Sequence, residues 1–479
     1  MFGGHYITAF TLAEKQSALP GLGNRLLEDQ MKTKSLSLLG FCVVVWCPVV
    51  FAQSETAPGN FRGRTAITWA KPRGLKGAKP PAAAPVQTTI HANDSEARSL
   101  KISTNSYPPD VYSPLKSLPL WTFDVKASRD GHHHLGTMVG HDPFKNPGTD
   151  NIPTYIVPVI FRTHTVATAW DPTTGVFTTE PGETTTDPTK PDNSCMAGPN
   201  NIALKVTEQS PVFVPAHFVF GGTDVGTTQY LDAFQRANFW QVLSKNMGSN
   251  EYHVLLNPVE TVEPIFLDVP ANEGLAIRDP NFFLASLGFT FCAPLLIIDI
   301  NWYDSYLNGT AIPKLGQAGV DASTFPIFQN YNAAFSSPVT NLFFCCAIGY
   351  HSFTGYPITT QTYAVVDFDS TGFFGGPPTG LQTLVLSHEV GEWVNDPHLV
   401  NNTVSWGNAG QVSGCSESLE VGDPLTGLAL PPVVMPNGYG YVLQELAFFS
   451  WFSGAPAVGA NGWFSNNGTF KTDAGRVCP

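Results

Sequence analysis

A chain of 479 residues with 43% hydrophobic residues can form one large or two ordinary domains around a sizeable core. Its 40 prolines and 44 glycines argue against a helical bundle and favour many strands, turns and long loops. Between positions 121 and 479 there are 12 basic and 31 acidic residues, which argues against nucleic acid and anionic membranes as partners.

Residues 31–52 have the parts of a secretory signal peptide. A basic start at Met31 precedes an apolar run over 38–50 and a small-residue cleavage site. We therefore expect a secreted protein without a stable membrane anchor, whose mature chain starts near Gln53. The position of the signal predicts that Met31 is the true start and that residues 1–30 are a mis-assigned extension. A membrane-anchoring helix with a short cytoplasmic tail is the alternative.

Residues 53–118 are rich in Pro, Ala, Thr, Ser and Lys and poor in aromatic residues. Such a segment cannot bury much apolar surface, so we predict a flexible, basic linker or pro-segment. The folded domain is expected to occupy residues 119–479.

Alternating patterns and short apolar runs predict the strands of this domain. They cover residues 120–125, 154–162, 213–221 and 362–368, and most of 283–300 and 341–350. Apolar residues at helical spacing predict a helix over 230–245, and the Thr/Pro/Gly-rich stretch 171–200 predicts an exposed loop. The histidine run 132–134 has no fixed spacing or acidic partners in the sequence, which is typical of a solvated loop.

Six cysteines follow the predicted signal peptide. An even number in an exported chain predicts up to three disulfides, whose connectivity the sequence does not determine. No Cys-x-x-Cys spacing occurs, which argues against a zinc–thiolate site. Cys345 and Cys346 would point to opposite faces of a strand, so we do not expect them to bond to each other.

The strongest chemical motif is a helix around His388. A capping box beginning at Thr379 marks its start, and the residue before Pro397 marks its end. His388 and Glu392 lie one turn apart on the same face and can reach a single ion. Glu389 lies about 100° further round, where it could polarise a water bound to that ion. The pattern is that of the His-Glu-x-x-His zinc helix with glutamate as the second ligand. An ordinary amphipathic helix with solvated His and Glu side chains is the alternative.

A hydrolytic metal site needs a third protein ligand beside an open position. One candidate is Glu420, with Asp423 as its neighbour. The other is His398, because its spacing of ten residues from His388 matches the metzincin pattern. That pattern fails at Glu392, so the spacing leaves both candidates open.

A wider resemblance bears on this choice. The segment Ser-His-Glu-Val-Gly-Glu-Trp-Val-Asn-Asp-Pro at 387–397 is followed by Trp406, by Glu-Val-Gly-Asp at 420–423 and by Tyr-Val-Leu-Gln at 441–444. This order resembles a pattern of secreted bacterial proteins and is similar to the exordium/phosphate-induced family of secreted plant proteins. The match covers residues 380–450, and it departs from the family pattern in placing Cys415 before the Glu-Val-Gly-Asp segment.

The resemblance implies a zincin-like metallopeptidase core with His388, Glu392 and Glu420 as metal ligands. With the predicted elements it gives an α+β fold class: zincin-like, strand- and loop-rich, with a mixed sheet and a metal-site helix. Zinc is the first expectation, although one His with several carboxylates keeps harder metals open.

The sequence therefore predicts a secreted metal-dependent hydrolase, with Glu389 as general base and a peptide or protein as substrate. The alternative is a non-catalytic extracellular or cell-surface protein with a structural ion.

Overall fold

The computed structural model describes part of the chain, and the predicted signal peptide and residues 1–30 lie outside it. The described residues are 65–68, 117–145, 148–196, 198–245, 251–278, 292–355, 360–374, 381–454, 456–473 and 478.

Strands dominate the described part of the chain. They are β1 Thr65–Thr68, β2 Leu120–Lys126, β3 His133–Val139, β4 Thr149–Trp170, β5 Phe177–Thr186, β6 Ala216–Phe220, β7 Thr223–Thr228, β8 His253–Thr261, β9 Ile265–Asp268, β10 Gly274–Ile277, β11 Leu295–Asp299, β12 Phe325–Tyr331, β13 Ala333–Ser336, β14 Ala347–Thr354, β15 Gln361–Phe368, β16 Asn402–Ala409, β17 Val412–Ser418, β18 Val433–Val434 and β19 Gly440–Tyr441.

The helices are mostly short. They are α1 Ala203–Glu208, α2 Tyr230–Asn238, α3 Trp240–Leu243, α4 Ile300–Tyr306, α5 Ile312–Gln317, α6 Leu381–Asn395 and α7 Phe449–Ser453. A π-helical turn over Leu307–Ala311 joins α4 to α5, and 3-10 turns cover Leu342–Phe344, Asp423–Leu425 and Ala460–Gly462.

Seven strands close into a ring. Their order is β14-β13-β11-β10-β4-β12-β15, and β15 pairs directly with β14 to complete it. Both parallel and antiparallel pairs occur, with β4–β12 and β12–β15 parallel and β14–β15 antiparallel. The 22-residue strand β4 also pairs with β5, β8 and β9. On the other edge of β14 lies β1, a strand within the range predicted as linker.

The predicted α+β zincin-like fold class is wrong. Strands make up 41% of the structure and helices only 20%, and the main sheet closes into a seven-stranded barrel. The prediction gave too much weight to two helical segments and to a resemblance confined to residues 380–450. Short strands such as β10 and β13 have only four residues each, too few for an alternating pattern to be recognised.

Successive side chains along a strand point to opposite faces of the sheet, and each face packs in its own apolar core. Val157, Phe328 and Val365 belong to the core that includes helix α4. Their chain neighbours Ile156 and Ile327 belong to the larger core that includes helix α6. Helix α6 therefore packs on the sheet face opposite to α4, against β14 and β15.

Several predicted elements are confirmed, and two interpretations are not. Strands β2, β4, β6, β15 and helix α6 lie where the patterns predicted them, and the helix predicted over 230–245 forms as α2 and α3. The stretch 171–200 is not simply a loop, because β5 within it pairs with β4 and its many threonines suit a strand. Strand β3 begins within the histidine run, at His133. This residue is exposed, and its Nδ1 lies 2.7 Å from Asp124 Oδ1. Of the apolar segment 283–300, residues 283–291 lie outside the described chain, and β11 forms near its end.

Three cysteine pairs lie at disulfide distance: Cys195–Cys292, Cys345–Cys346 and Cys415–Cys478. The expectation that Cys345 and Cys346 do not bond to each other is wrong. It assumed a strand, whereas these residues lie between a 3-10 turn and the start of β14.

Among the described residues, no helix is both long and apolar enough to cross a membrane.

Candidate metal centre

Helix α6 places three ionisable side chains inside the protein. It runs from Leu381 to Asn395 and ends two residues before Pro397, as the sequence predicted, whereas the predicted capping box at Thr379 lies outside the described residues. The side chains of His388, Glu389 and Glu392 are completely buried. Charged groups are costly to bury without partners, so such a cluster indicates a site rather than packing.

His388 and Glu392 lie one helical turn apart, as their spacing predicted. The imidazole Nε2 of His388 is 3.2 Å from Glu392 Oε2, and neither atom completes a hydrogen bond. Both atoms therefore have a lone pair available inside the cluster.

Strand β14 contributes His351, which the sequence analysis did not identify. Its chain neighbour Tyr350 belongs to the core around α4, whereas His351 faces helix α6. His351 Nδ1 lies 3.6 Å from Glu389 Oε2 and 3.7 Å from Glu392 Oε2. The strand approaches the helix closely at Gly349, where a Cβ would lie 2.9 Å from Glu389 Oε1. A single histidine after an apolar run has no local spacing that would have identified it as a ligand.

A glutamine fixes the tautomer of His388. His388 Nδ1 lies 3.0 Å from Gln444 Oε1, and Gln444 Nε2 donates to the carbonyl oxygen of Gly422 at 2.6 Å. Because Gln444 turns its oxygen towards the imidazole, Nδ1 carries the proton and Nε2 keeps its lone pair. Gly422 itself must stay small, since a Cβ there would lie 2.5 Å from His388 Nδ1.

A main-chain carbonyl does the same for His351. Its Nε2 donates to the carbonyl oxygen of Asp396 at 3.2 Å, which leaves Nδ1 as the acceptor that faces the cluster. Burial lowers the pKa of His351 to about 4, so the imidazole is neutral near pH 7. A neutral imidazole whose other nitrogen is hydrogen-bonded is the usual form of a histidine metal ligand.

The carboxylate of Glu392 is also oriented by hydrogen bonds. Its Oε1 accepts from the backbone N–H groups of Gly422 at 3.2 Å and Asp423 at 3.1 Å. Its Oε2 has no hydrogen bond and faces both histidines. The pKa of His388 is raised, because Glu392, Asp423 and Gln444 together outweigh burial, the largest single influence, which lowers it.

The segment after β17 supplies two further carboxylates. Asp423 Oδ1 lies 3.6 Å from His388 Nε2 and accepts a hydrogen bond from Gln411 Nε2. Burial raises the pKa of Asp423 well above its usual value. Glu420, the third ligand implied by the resemblance, has Oε2 at 3.9 Å from His351 Nε2. It borders the cluster on the side of the nitrogen that donates to Asp396.

His398, the competing candidate, lies apart from the cluster. Its ring packs edge-on against Phe353 with 6.0 Å between the centroids. Burial lowers the pKa of His398 to about 4.

Within the described part of the chain, two groups of buried side chains could hold a metal ion. One contains His351, Glu389 and Glu392, and the other contains His388, Glu392 and Asp423; in each group the ligand atoms lie within 4.8 Å of one another. The structure thus brings the predicted His388, Glu389 and Glu392 together with Asp423, which the sequence offered as the neighbour of Glu420. It adds His351 and has Glu420 beside the cluster. Imidazole and carboxylate donors in this combination suit several divalent metals.

No protein-family model matches this chain, and neither a curated protein nor a solved structure matches it. The resemblance to the exordium/phosphate-induced family rests on the motifs of residues 380–450 and stays a prediction. The case for a function therefore comes from the geometry of the buried cluster.

Proposed function

We propose that this chain is a metal-dependent hydrolase that cleaves peptide bonds at the cluster around helix α6. The observation that carries the proposal is the pair His388 Nε2 and Glu392 Oε2. These two buried atoms can each donate a lone pair to a metal, lie 3.2 Å apart and complete no hydrogen bond. The other polar atom of each side chain is hydrogen-bonded. Nδ1 of His388 contacts Gln444, and Oε1 of Glu392 accepts from backbone N–H groups. Such outer contacts are typical of metal ligands.

A divalent ion bound there would lower the pKa of a water molecule and polarise the carbonyl of the scissile bond. Glu389 would accept one proton as the water oxygen adds to the carbonyl carbon. It would then return that proton to the amine nitrogen as the C–N bond breaks. Proton transfer by a positioned side chain contributes about 10²–10⁴-fold to such rates.

The proposed metal is zinc, with His388 and Glu392 as ligands and Glu420 or Asp423 as the third. The distances favour Asp423, whose Oδ1 is 3.6 Å from His388 Nε2. The resemblance favours Glu420. Loss of metal affinity in Glu420→Ala and Asp423→Ala, measured by competition with a chromophoric chelator, distinguishes the two.

Secretion remains part of the proposal. It is supported by the signal-like segment 31–52 and by cysteine pairs such as Cys195–Cys292 and Cys415–Cys478, since structural disulfides persist in oxidising compartments. A secreted hydrolase would meet peptides and proteins as its substrates.

The test compares two single-atom changes in the full chain. Glu389→Gln should retain the metal and lose at least about 10²-fold in hydrolysis of a peptide library, because it removes only basicity. Glu392→Gln should lose metal affinity, because it removes a charged ligand. Glu445→Gln is the matched control, since Glu445 is equally buried but accepts its hydrogen bonds from Ser465 and Thr469. Cleavage by Glu389→Gln at the wild-type rate would refute the mechanism.

A structural ion in a non-catalytic protein is the second candidate. The observation that favours it is burial: no member of the cluster is more than 3% exposed, and structural metal sites are closed whereas catalytic sites keep an open position. If chelation lowers the melting temperature and no peptide or ester panel is turned over by the metal-loaded protein, this candidate replaces the hydrolase.

A further inference from the structure

We infer that the cluster binds two divalent ions bridged by Glu392. This inference rests on the proposed metal site of helix α6 and adds a second ion, held by His351 on strand β14. It makes the centre a co-catalytic pair rather than the single-ion site that the sequence motif predicted.

Among the described residues, no group of ligand atoms within 4.8 Å of one another contains both histidines. Nitrogen ligands bind zinc at about 2.1 Å, so two of them on one ion are at most about 4.2 Å apart. His351 groups with Glu389 and Glu392 within 4.8 Å, whereas His388 groups with Glu392 and Asp423. Glu392 is the only member that the two groups share. Each ion would therefore have its own histidine.

The nitrogen of each histidine that lacks a hydrogen bond lies near the same oxygen of Glu392. His388 Nε2 lies 3.2 Å from Glu392 Oε2, and His351 Nδ1 lies 3.7 Å from that oxygen. Both nitrogens are buried without a hydrogen bond, while the other nitrogen of each ring has a fixed acceptor. Two separately oriented imidazoles that converge on one carboxylate oxygen are the expected arrangement of a bridged pair.

The two oxygens of the Glu392 carboxylate have different surroundings, and this difference identifies the one that would bridge the ions. Glu392 Oε1 is held by the N–H groups of Gly422 and Asp423, so only Oε2 remains for metal coordination. An oxygen that bridges two ions about 3.5–4 Å apart matches the two-metal centres of aminopeptidases and phosphatases.

The cluster offers enough side chains for two ions. Four buried carboxylates, Glu389, Glu392, Glu420 and Asp423, lie beside the two histidines.

The second ion would change the assignment of Glu389. Its Oε2 lies 3.6 Å from His351 Nδ1, so it would be a ligand on the His351 side. Metal stoichiometry separates this role from that of a general base, because a base can be replaced by glutamine without loss of an ion.

The experiment is a titration of the chelator-treated full chain with Zn²⁺, read by calorimetry and by metal analysis after dialysis. We expect two ions per chain in the wild type, and one in His351→Ala and in His388→Ala. His398→Ala is the matched control and should retain two, because His398 packs against Phe353 outside both groups. Glu389→Gln should weaken the binding of the ion on the His351 side if Glu389 is a ligand, whereas it should leave both ions bound if Glu389 is only the general base.

A second measurement needs no variant. The chain loaded with Mn²⁺ should give the electron paramagnetic resonance spectrum of a spin-coupled pair, which a lone ion cannot produce. One ion per chain and an uncoupled spectrum would overturn the inference and leave the proposed single-ion hydrolase intact. No bound ion in the wild type would overturn both.

Discussion

Gln444→Met tests whether the outer contacts of the cluster prepare it for metal. Gln444 is completely buried, and its Oε1 is the acceptor for His388 Nδ1 at 3.0 Å. Methionine has a similar length but cannot take the oxygen's place. The imidazole would then have a buried N–H without an acceptor and would no longer be held in one tautomer.

The expected loss follows from that contact. Removing an outer partner of a ligating histidine typically weakens metal binding about 10–100-fold, which corresponds to about 1.4–2.8 kcal/mol. The metal-free protein should also be destabilised by about 1–3 kcal/mol, because one buried donor is orphaned. The carbonyl of Gly422 keeps the N–H of Leu425 at 3.0 Å, so it adds little to this cost.

Competition with a chromophoric chelator measures the affinity, and urea unfolding in the presence of chelator measures the stability. Gln361→Met is the matched control, because Gln361 is a buried glutamine whose Nε2 donates to the carbonyl oxygens of Thr324 and Thr362 away from the cluster. It should cost similar stability and no metal affinity. If Gln444→Met binds metal as tightly as the wild type, the reasoning from the tautomer is refuted.

Three further predictions concern other parts of the chain. Gly422→Ala should weaken metal binding in the same chelator assay, because its Cβ would lie 2.5 Å from His388 Nδ1; wild-type affinity would contradict the close approach. Phe325→Ala should lower the free energy of unfolding by about 3–5 kcal/mol in urea, since Phe325 stacks on Trp393 with centroids 3.6 Å apart, and a loss below 1 kcal/mol would argue against that packing. N-terminal sequencing of protein collected from the medium should find a start near Gln53, whereas an intact segment 1–30 would rule out the predicted signal peptide.

The helix of the site could be predicted because its information is local. One short stretch of sequence contains both the helical spacing of His388, Glu389 and Glu392 and the proline that ends the helix, Pro397. The structure confirms a helix over Leu381–Asn395 with all three side chains buried. Their chemical roles remain predictions.

The other half of the site depends on contacts that are distant in sequence. His351 reaches the cluster because the sheet closes and places β14 against helix α6. The sequence around His351 contains no pattern that predicts this closure. Gln444 belongs to the motif at 441–444, but its hydrogen bond to His388 links residues 56 positions apart. Local patterns predict elements, whereas the partners of a buried donor require the tertiary structure.

The predicted fold class is wrong for a related reason. Strand β4 pairs along its 22 residues with five strands that all follow it in the chain, and the threonine-rich β5 is one of them. Composition identified its threonines, prolines and glycines as typical of a loop, although β-branched threonine also suits a strand. The pairing of β14 with β15, which closes the sheet, joins strands that are adjacent in the chain and still left no sequence signature.

The central claim is that the buried cluster around helix α6 is a metal site, and anomalous X-ray scattering tests it most directly. Crystals of the full chain grown with Zn²⁺ should show anomalous difference density at the zinc edge about 2.1 Å from His388 Nε2, beside Glu392 Oε2. The bridged pair predicts a second peak about 3.5–4 Å away, next to His351 Nδ1. A protein saturated with Zn²⁺ whose anomalous density lies only elsewhere, with none inside the cluster, would contradict the account.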